Sequence, residues 1–497
     1  MTQNSFKCIK DNASITVFGA SGDLAKKKTF PALFGLFRDD LLPKNLVILG
    51  YARSKLEHDD FLKRITQYIT VNSEDDKQKL EAFKQKCNYL SGAYDQPEAF
   101  ETLEKRLREL EGERDVRNRM YYLALPPDVF VPVVTNLKKK CYPENGIMRV
   151  IMEKPFGHDL KSAKELQAQL DPLLTEEELY RIDHYLGKEM VKNISFLRFA
   201  NPVLAHIWNK NSIANVQVTF KESIGTEGRG GYFDSSTIIR DVIQNHLIQV
   251  VTLLAMEIPS SFNSEDVRDE KVKVLKRMRV GDIKDIVLGQ FTKSEDGSKP
   301  GYLDDKTVPE GSRCPTFAAI PFFIDNERWK GVPFLLKAGK ALNQSKVEIR
   351  IQLKDSAAGL FDDIYRNELV IRIQPDEAVY MKVNVKYPGL RTEPILTELD
   401  LTYSRRFENM KINEAYEALL LAAFRGDQSN FVRSDELEYA WGILDPVLSW
   451  LDNDRPEPLP YTYGSRGPAA LDEFMQKFGF VHHGPDSYQY PTTRLSL

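Results

Sequence analysis

The sequence predicts an α/β chain of two domains. A parallel-sheet domain spans residues 1–181, and an α+β domain with a large, mostly antiparallel sheet spans 182–497. Three observations carry this. The 497 residues exceed one ordinary hydrophobic core. The first third alternates short β-branched runs with longer helical patterns, as βαβ units do. After about Arg181 the texture becomes period-two alternation broken by Gly- and Pro-containing loops, as in a sheet with one polar face.

In the first domain, Ser14–Gly19, Leu46–Gly50, Tyr121–Leu125 and Arg149–Met152 read as strands. Leu24–Phe37 and the charged stretches Ser73–Gln85 and Glu98–Glu113 read as helices covering them. In the second domain, Asn215–Phe220, Val347–Leu353, Glu368–Ile373 and Val379–Val385 alternate as strands. Thr237–Met256 has the length and period of one helix.

The bulk chemistry narrows the class. An apolar share of 42%, a charged share of 28% and a net charge of −4 describe a soluble globular chain, and they exclude a basic nucleic-acid binder. No window approaches the roughly 20 apolar residues of a membrane span. No charged leader precedes a long apolar run, so no signal peptide is expected. Cys8, Cys87, Cys141 and Cys314 form no Cys-x-x-Cys pair, which fits a reducing, cytoplasmic setting and offers no metal site.

The turn Gly19-Ala20-Ser21-Gly22-Asp23-Leu24, continuing into Ala25 and Lys26, lies between the first strand and the first helix. Glycines there allow a tight turn and close approach of the backbone to a pyrophosphate at a helix start. Ser21 breaks the full dinucleotide fingerprint, and a plain glycine turn fits the same residues. The second strand ends at Gly50-Tyr51-Ala52-Arg53, where an NAD enzyme would often carry an acid for the ribose hydroxyl. Arg53 suits the extra phosphate of NADP instead. Together the two features point to a Rossmann-like domain that binds NADP.

Reactive side chains concentrate in two further segments. Arg181–Lys188 (RIDHYLGK) packs Asp183, His184, Tyr185 and Lys188 into one short stretch; as an α-helix it would place His184 and Lys188 on one face, suited to a phosphate or to an ion pair. In Thr237–Met256, His246 falls among Ile239, Val242, Val250 and Leu253 on a helical wheel, and periodicity does not choose between a core histidine and a catalytic one. Lys154, and Lys337 with Lys340, are placed either to reach a ligand or to face water.

Taken in order, GASGDLAKKK, EKPFG, RIDHYLGKE, IGTEGRGGYFD and IRDVIQNHL resemble the glucose-6-phosphate dehydrogenase family, over a stretch from about Ser14 to YGSRGP near the C-terminus. The resemblance implies oxidation of glucose 6-phosphate at C1 with hydride transfer to NADP, in a cytoplasmic homodimer or homotetramer, with no nucleic acid or membrane partner. It implies His246 as general base, oriented by Asp183. It assigns His184, Tyr185, Lys188, Glu222, Asp241 and Lys340 to the sugar phosphate, with Lys154 touching substrate and coenzyme. Gly19, Ala20, Ser21, Gly22, Asp23, Leu24, Ala25, Lys26 and Arg53 would hold the coenzyme, and Pro155 would follow a cis bond. A second, structural NADP found in some members would use Lys346, Arg350, Arg372, Gln374 and Lys382, although Lys337 and Gly442 stand where those members have arginine. Phe130 replaces a common tyrosine, and Ser345 an arginine. A non-catalytic NADP sensor on the same fold is the alternative; the Asp183/His246 pair argues against it, because a sensor needs no base.

Overall fold

The computed structural model describes residues 8–355, 364–408 and 410–482. Among them the chain forms two compact units. The first comprises Met1–Lys188, Pro259–Glu270 and Asn413–Trp441; the second comprises Glu189–Ile258, Lys271–Ile412 and Gly442–Leu497. The division therefore falls at Lys188 rather than after Arg181, and the first unit recruits two stretches from the later chain. The change in sequence texture marks a change of strand pattern, whereas packing sets the boundary. Gly187 lies so close to the helix Ala415–Arg425 that an added Cβ would sit 2.5 Å from the Ala415 carbonyl oxygen.

The first unit holds β1 (Asn12–Phe18), β2 (Asn45–Ala52), β3 (Cys87–Ser91), β4 (Arg119–Leu123), β5 (Met148–Met152) and β6 (Leu179–Arg181). All pairs are parallel, in the order β3-β2-β1-β4-β5-β6. That order reverses direction at β1 and β4, which opens a crevice at their carboxyl ends. Both faces are covered: Ile15, Val17, Ile48 and Tyr122 join one core, while Phe18, Leu49, Tyr121 and Val150 join the other. Tyr416, Leu419, Leu420 and Ala423 of the returning helix complete the first core. Buried Arg149 of β5 secures that helix by donating to the carbonyls of Ala423 (2.6 Å) and Phe424 (3.1 Å) at its C-terminal end.

The charged helices form as predicted, at Glu74–Lys86 and Pro97–Glu111. Ser73 starts the first by accepting a hydrogen bond from the Asp76 amide. The helix expected over Leu24–Phe37 is interrupted. Ala25–Thr29 winds as a π-turn, and Phe30–Arg38 continues as an α-helix. Pro31 has no N–H to donate back, so a regular ladder cannot pass through it.

The second unit is built on one mixed sheet. Its strands are β7 (Ile213–Lys221), β8 (Met278–Val280), β9 (Val287–Ser294), β10 (Phe317–Ile324), β11 (Phe334–Gly339), β12 (Lys346–Leu353), β13 (Glu368–Gln374), β14 (Ala378–Lys386), β15 (Pro394–Thr402) and β16 (Leu459–Tyr463). The order is β15-β14-β13-β12-β7-β11-β10-β9-β16, with β8 on β10. Most pairs are antiparallel; β7–β11 and β9–β16 are parallel. The segment Thr237–Met256 is not one α-helix. Thr237 (φ 57°, ψ 166°) breaks it, Ile239–Leu247 winds as a π-helix, and Ile248–Ala255 is α-helical. The Pro315 carbonyl takes the Ile238 amide and the Thr237 hydroxyl takes the Ile239 amide, so the opening donors of this helix are engaged outside its own ladder.

Candidate active site

In the first unit, β1 runs directly into the glycine turn. Gly19 has φ +74°, and a Cβ there would lie 2.2 Å from the Ala124 carbonyl oxygen. Only glycine fits that cradle. The turn closes through Gly22 N–H to the Gly19 carbonyl (2.8 Å), and Lys26 N–H returns to Gly22 (3.2 Å). Ala20 N–H reaches the Tyr51 carbonyl of β2, and the Ser21 and Ser54 hydroxyls lie 3.3 Å apart. The turn and the end of β2 therefore share one edge of the sheet, and Arg53 stands there, exposed, with its guanidinium 5.4 Å from the centre of the Tyr94 ring. Hydrogen bonds from Lys26 and then Lys27 hold the exposed Asp23 carboxyl at about 2. An anion-ready turn, a bare backbone approach and an exposed guanidinium fork fit a dinucleotide bearing an extra phosphate.

The segment after β6 bends differently from the α-helix considered above. His184–Gly187 is a 3-10 turn and Lys188 is already extended, so the i, i+4 face does not form. Asp183 caps the turn, accepting from the Tyr185 amide at 2.9 Å. Asp183 and Tyr185 are buried, while His184 and Lys188 are partly exposed, with the Lys188 ammonium 5.1 Å from the Tyr185 ring centre. Lys154 is also partly exposed at the end of β5, and the Lys154–Pro155 bond is cis.

In the second unit, the wide winding of Ile239–Leu247 has a chemical consequence. A π-turn closes residue i onto i+5, the spacing of Asp241 and His246 within Ile239–Leu247. In an α-helix they would point about 140° apart. His246 is 3% exposed and its neighbours on the helix are buried nearly all round, so the apolar arc read from the sequence does not exist as such. Lys340 and Glu222 form an ion pair, each at the end of its strand. The Lys340 ammonium also lies 5.2 Å from the centre of the Phe233 ring.

One face of this sheet carries the other basic group. Lys346 and Arg350 of β12, with Gln217, Lys221, Lys337 and Arg466, line a cavity of about 450 Å³. Glu348 lies at its floor, between Arg350 (3.1 Å) and Lys346 (3.5 Å), with Arg372 at 3.8 Å. Burial pushes the Glu348 carboxyl up, but Arg350, Lys346 and Arg372 outweigh it and hold it at about 2. Burial, then the neighbouring Lys221, Arg350 and Lys346, bring Lys337 down to about 7. Lys382 pairs with Glu368 at 3.1 Å on the same face. Gly442 is exposed and does not line the cavity.

Two family models match the chain. "Glucose-6-phosphate dehydrogenase, NAD binding domain" covers residues 16–193, and "Glucose-6-phosphate dehydrogenase, C-terminal domain" covers 195–483. The chain belongs to the glucose-6-phosphate dehydrogenase family. Glucose-6-phosphate 1-dehydrogenase of Schizosaccharomyces pombe is 66% identical over 485 residues, 97% of each chain. That of Saccharomyces cerevisiae is 56% identical over 488 residues, again 97% of each. A solved glucose-6-phosphate dehydrogenase in complex with glucose 6-phosphate superposes with a TM-score of 0.93 at 55% identity, covering 96% of this chain and all of the other.

For a member of this family, the structure also exposes groups that the sequence reading passed over. Glu153 is buried beside Lys154, and burial raises its carboxyl to about 7 against the hydroxyls of Tyr122 and Tyr416 and the charge of Lys154. Its place before Lys154-Pro155 was a usable signal. Tyr416, far along the chain in a helix with no motif, carried none.

Proposed function

We infer that the chain oxidises glucose 6-phosphate at C1 to 6-phosphogluconolactone with NADP, the first step of the oxidative pentose phosphate pathway. The observation that carries this is a family match running through both units, with the glycine turn, RIDHYLGK and IRDVIQNHL all intact. NADP supplies the hydride acceptor when bound. Gly19 to Lys26 and Arg53 would hold it; their fit rests on the bare Gly19 cradle and on Arg53 standing where an acid would select NAD.

His246 removes the proton from the C1 hydroxyl. Its ordinary pKa lies near neutrality, and Asp183 orients the ring and stabilises the imidazolium that forms. His184, Tyr185, Lys188 and Lys340 hold the phosphate, while Glu222 and Asp241 accept from sugar hydroxyls. Binding the remote phosphate positions C1. Lys154, part-exposed at the end of β5, would contact both sugar and coenzyme.

The initial rate of NADPH formation tests this reading, with free glucose in place of the phosphate ester and NAD in place of NADP as parallel reactions. A rate that needs the phosphate and prefers NADP supports it. Folded protein that binds NADP without turnover would favour a sensor.

The basic cavity supports a second NADP. Five lysine and arginine side chains (Lys221, Lys337, Lys346, Arg350 and Arg466) face two carboxylates, Glu348 and Asp472, across a space suited to a polyanion. Arg372, Gln374 and Lys382 belong to the same assignment. Calorimetry of NADP binding to wild type and Arg350→Ala should show two sites falling to one.

The chain works on small molecules, as a cytoplasmic homodimer or homotetramer without nucleic acid or membrane. Four free cysteines fit a reducing compartment. Among the described residues no helix is long and apolar enough to cross a membrane. Sedimentation of the purified protein and fractionation of cells check oligomer and compartment.

A further inference from the structure

Lys340 is held at its backbone and at its side chain by groups from separate elements of the second unit. It directly follows β11, and its amide donates to the Thr316 carbonyl at 3.0 Å. Its own carbonyl accepts from the Tyr461 hydroxyl of β16 at 2.7 Å, and that hydroxyl lies 2.9 Å from the Thr316 hydroxyl. At the far end of the side chain, the ammonium pairs with Glu222 and lies over the Phe233 ring, 5.2 Å from its centre.

Phe233 is firmly mounted for that contact. It sits in the helix Gly230–Ile238 and is 5% exposed. The opening amides of this helix are tied down at 3.0 Å, Gly230 N–H to the Asp305 carboxylate and Gly231 N–H to the Thr307 hydroxyl. Asp234, the next residue, accepts from the Tyr302 hydroxyl at 2.9 Å. The fully buried Tyr302 ring meets the Phe233 ring in a T-shape, with centres 6.3 Å apart. The aromatic ring is therefore the fixed surface, and the long lysine stem is the flexible partner.

A single carboxylate leaves an ammonium on such a stem a range of positions. A second carboxylate would narrow that range but would cancel the positive charge that an anionic substrate needs. An aromatic face attracts the cation without adding negative charge, and it leaves all three N–H donors available.

We propose that Phe233 is a positioning residue: its ring face fixes the Lys340 ammonium beside Glu222 and so sets the affinity for glucose 6-phosphate. This rests on the reading of Lys340 as a phosphate-binding residue. Phe233 takes no part in proton or hydride transfer, and its effect falls on KM.

The test is steady-state kinetics on Phe233→Leu, Lys340→Met and the Phe233→Leu/Lys340→Met double variant, with melting midpoints recorded in parallel. Phe233→Leu should raise KM for glucose 6-phosphate roughly three- to tenfold, the scale of one partly buried cation–π contact. Both kcat and KM for NADP should stay within about twofold. The double variant should be no worse than Lys340→Met, because both changes act through one group; full additivity would overturn the proposal. A second series places phenylalanines with one, two and three ring fluorines at position 233 of the full chain. Fluorine keeps the shape of the ring and drains electron density from its face, so KM for glucose 6-phosphate should climb with each one added. A KM that stays flat across the series, beside a raised KM in Lys340→Met, would overturn the proposal alone and leave Phe233 as packing. A falling KM would also overturn it, by showing that the ring competes with the substrate for the ammonium. An unchanged KM in Lys340→Met would remove the substrate role of Lys340 and the proposal with it. The fluorinated rings keep the apolar contacts, so they decide the matter even where Phe233→Leu fails to fold.

Discussion

Glu222 and Lys340 meet because β7 and β11 run parallel in a register that sets Lys221 beside Gly339. The next residue of each strand then falls opposite the other, and Glu222 N–H bonds the Gly339 carbonyl at 2.9 Å while the two side chains form an ion pair. The carboxylate holds the ammonium at the paired ends of the two strands.

Lys340→Met is therefore expected to raise KM for glucose 6-phosphate by about tenfold or more, with a smaller change in kcat. A charge-assisted contact to a phosphate accounts for that scale. Glu222→Gln should raise KM less, because it frees the ammonium while removing only one hydroxyl contact. Initial-rate measurements over substrate concentration separate the two. A loss confined to kcat in Lys340→Met would place the lysine in the chemistry instead.

His246→Asn should lower kcat by about 10²–10⁴, the usual contribution of a general base, while KM stays within a few-fold. The residue is 3% exposed, and asparagine keeps its polarity and approximate volume. A melting midpoint close to wild type would show that the fold tolerates it. Unchanged kcat would transfer the base role to another group.

Arg53 stands exposed at the end of β2, beside the glycine turn. Arg53→Ala is expected to raise KM for NADP about tenfold and to leave the weaker reaction with NAD nearly unchanged. The ratio of the two rates is the readout. Equal losses with both coenzymes would mean that Arg53 supports the turn generally and does not read the extra phosphate.

Acid stability should report Glu348. Its carboxyl is held at about 2 in the folded state, below its ordinary 4.5, by Arg350, Lys346 and Arg372 acting against burial. A depressed carboxylate adds stability that is fully present above about 4.5 and drains away as pH falls toward 2. Wild type should therefore melt well above Glu348→Gln at pH 7, with the gap narrowing below about pH 4.5. A gap independent of pH would assign the loss to packing.

Much of the first unit was legible in the chain. Parallel strands buried on both faces must be apolar runs, and a turn that passes within van der Waals contact of Ala124 must carry glycine at position 19. Period-two alternation likewise marked β7, β12, β13 and β14, because each has one polar face. Winding was not legible. The sequence from Leu24 and from Thr237 has an ordinary helical period, yet Pro31 and the backbone at Thr237 divert the early hydrogen bonds and π-turns result.

The sequence by itself determined the fold class, the nucleotide turn, the density of ionisable groups at Asp183–Lys188 and, through its motifs, the family. These depend on neighbours close along the chain, where period and turn chemistry act. Tertiary structure alone decided that Glu222 faces Lys340, that Ile239–Leu247 winds as a π-helix, that Lys346 and Arg350 line one cavity with Lys221, and that the Tyr416 ring stacks on His184. Those pairings depend on strand register, helix winding and the return of Asn413–Trp441 to the first unit. Apart from the winding of Ile239–Leu247, each brings together residues more than a hundred positions apart in the chain, which no local pattern encodes.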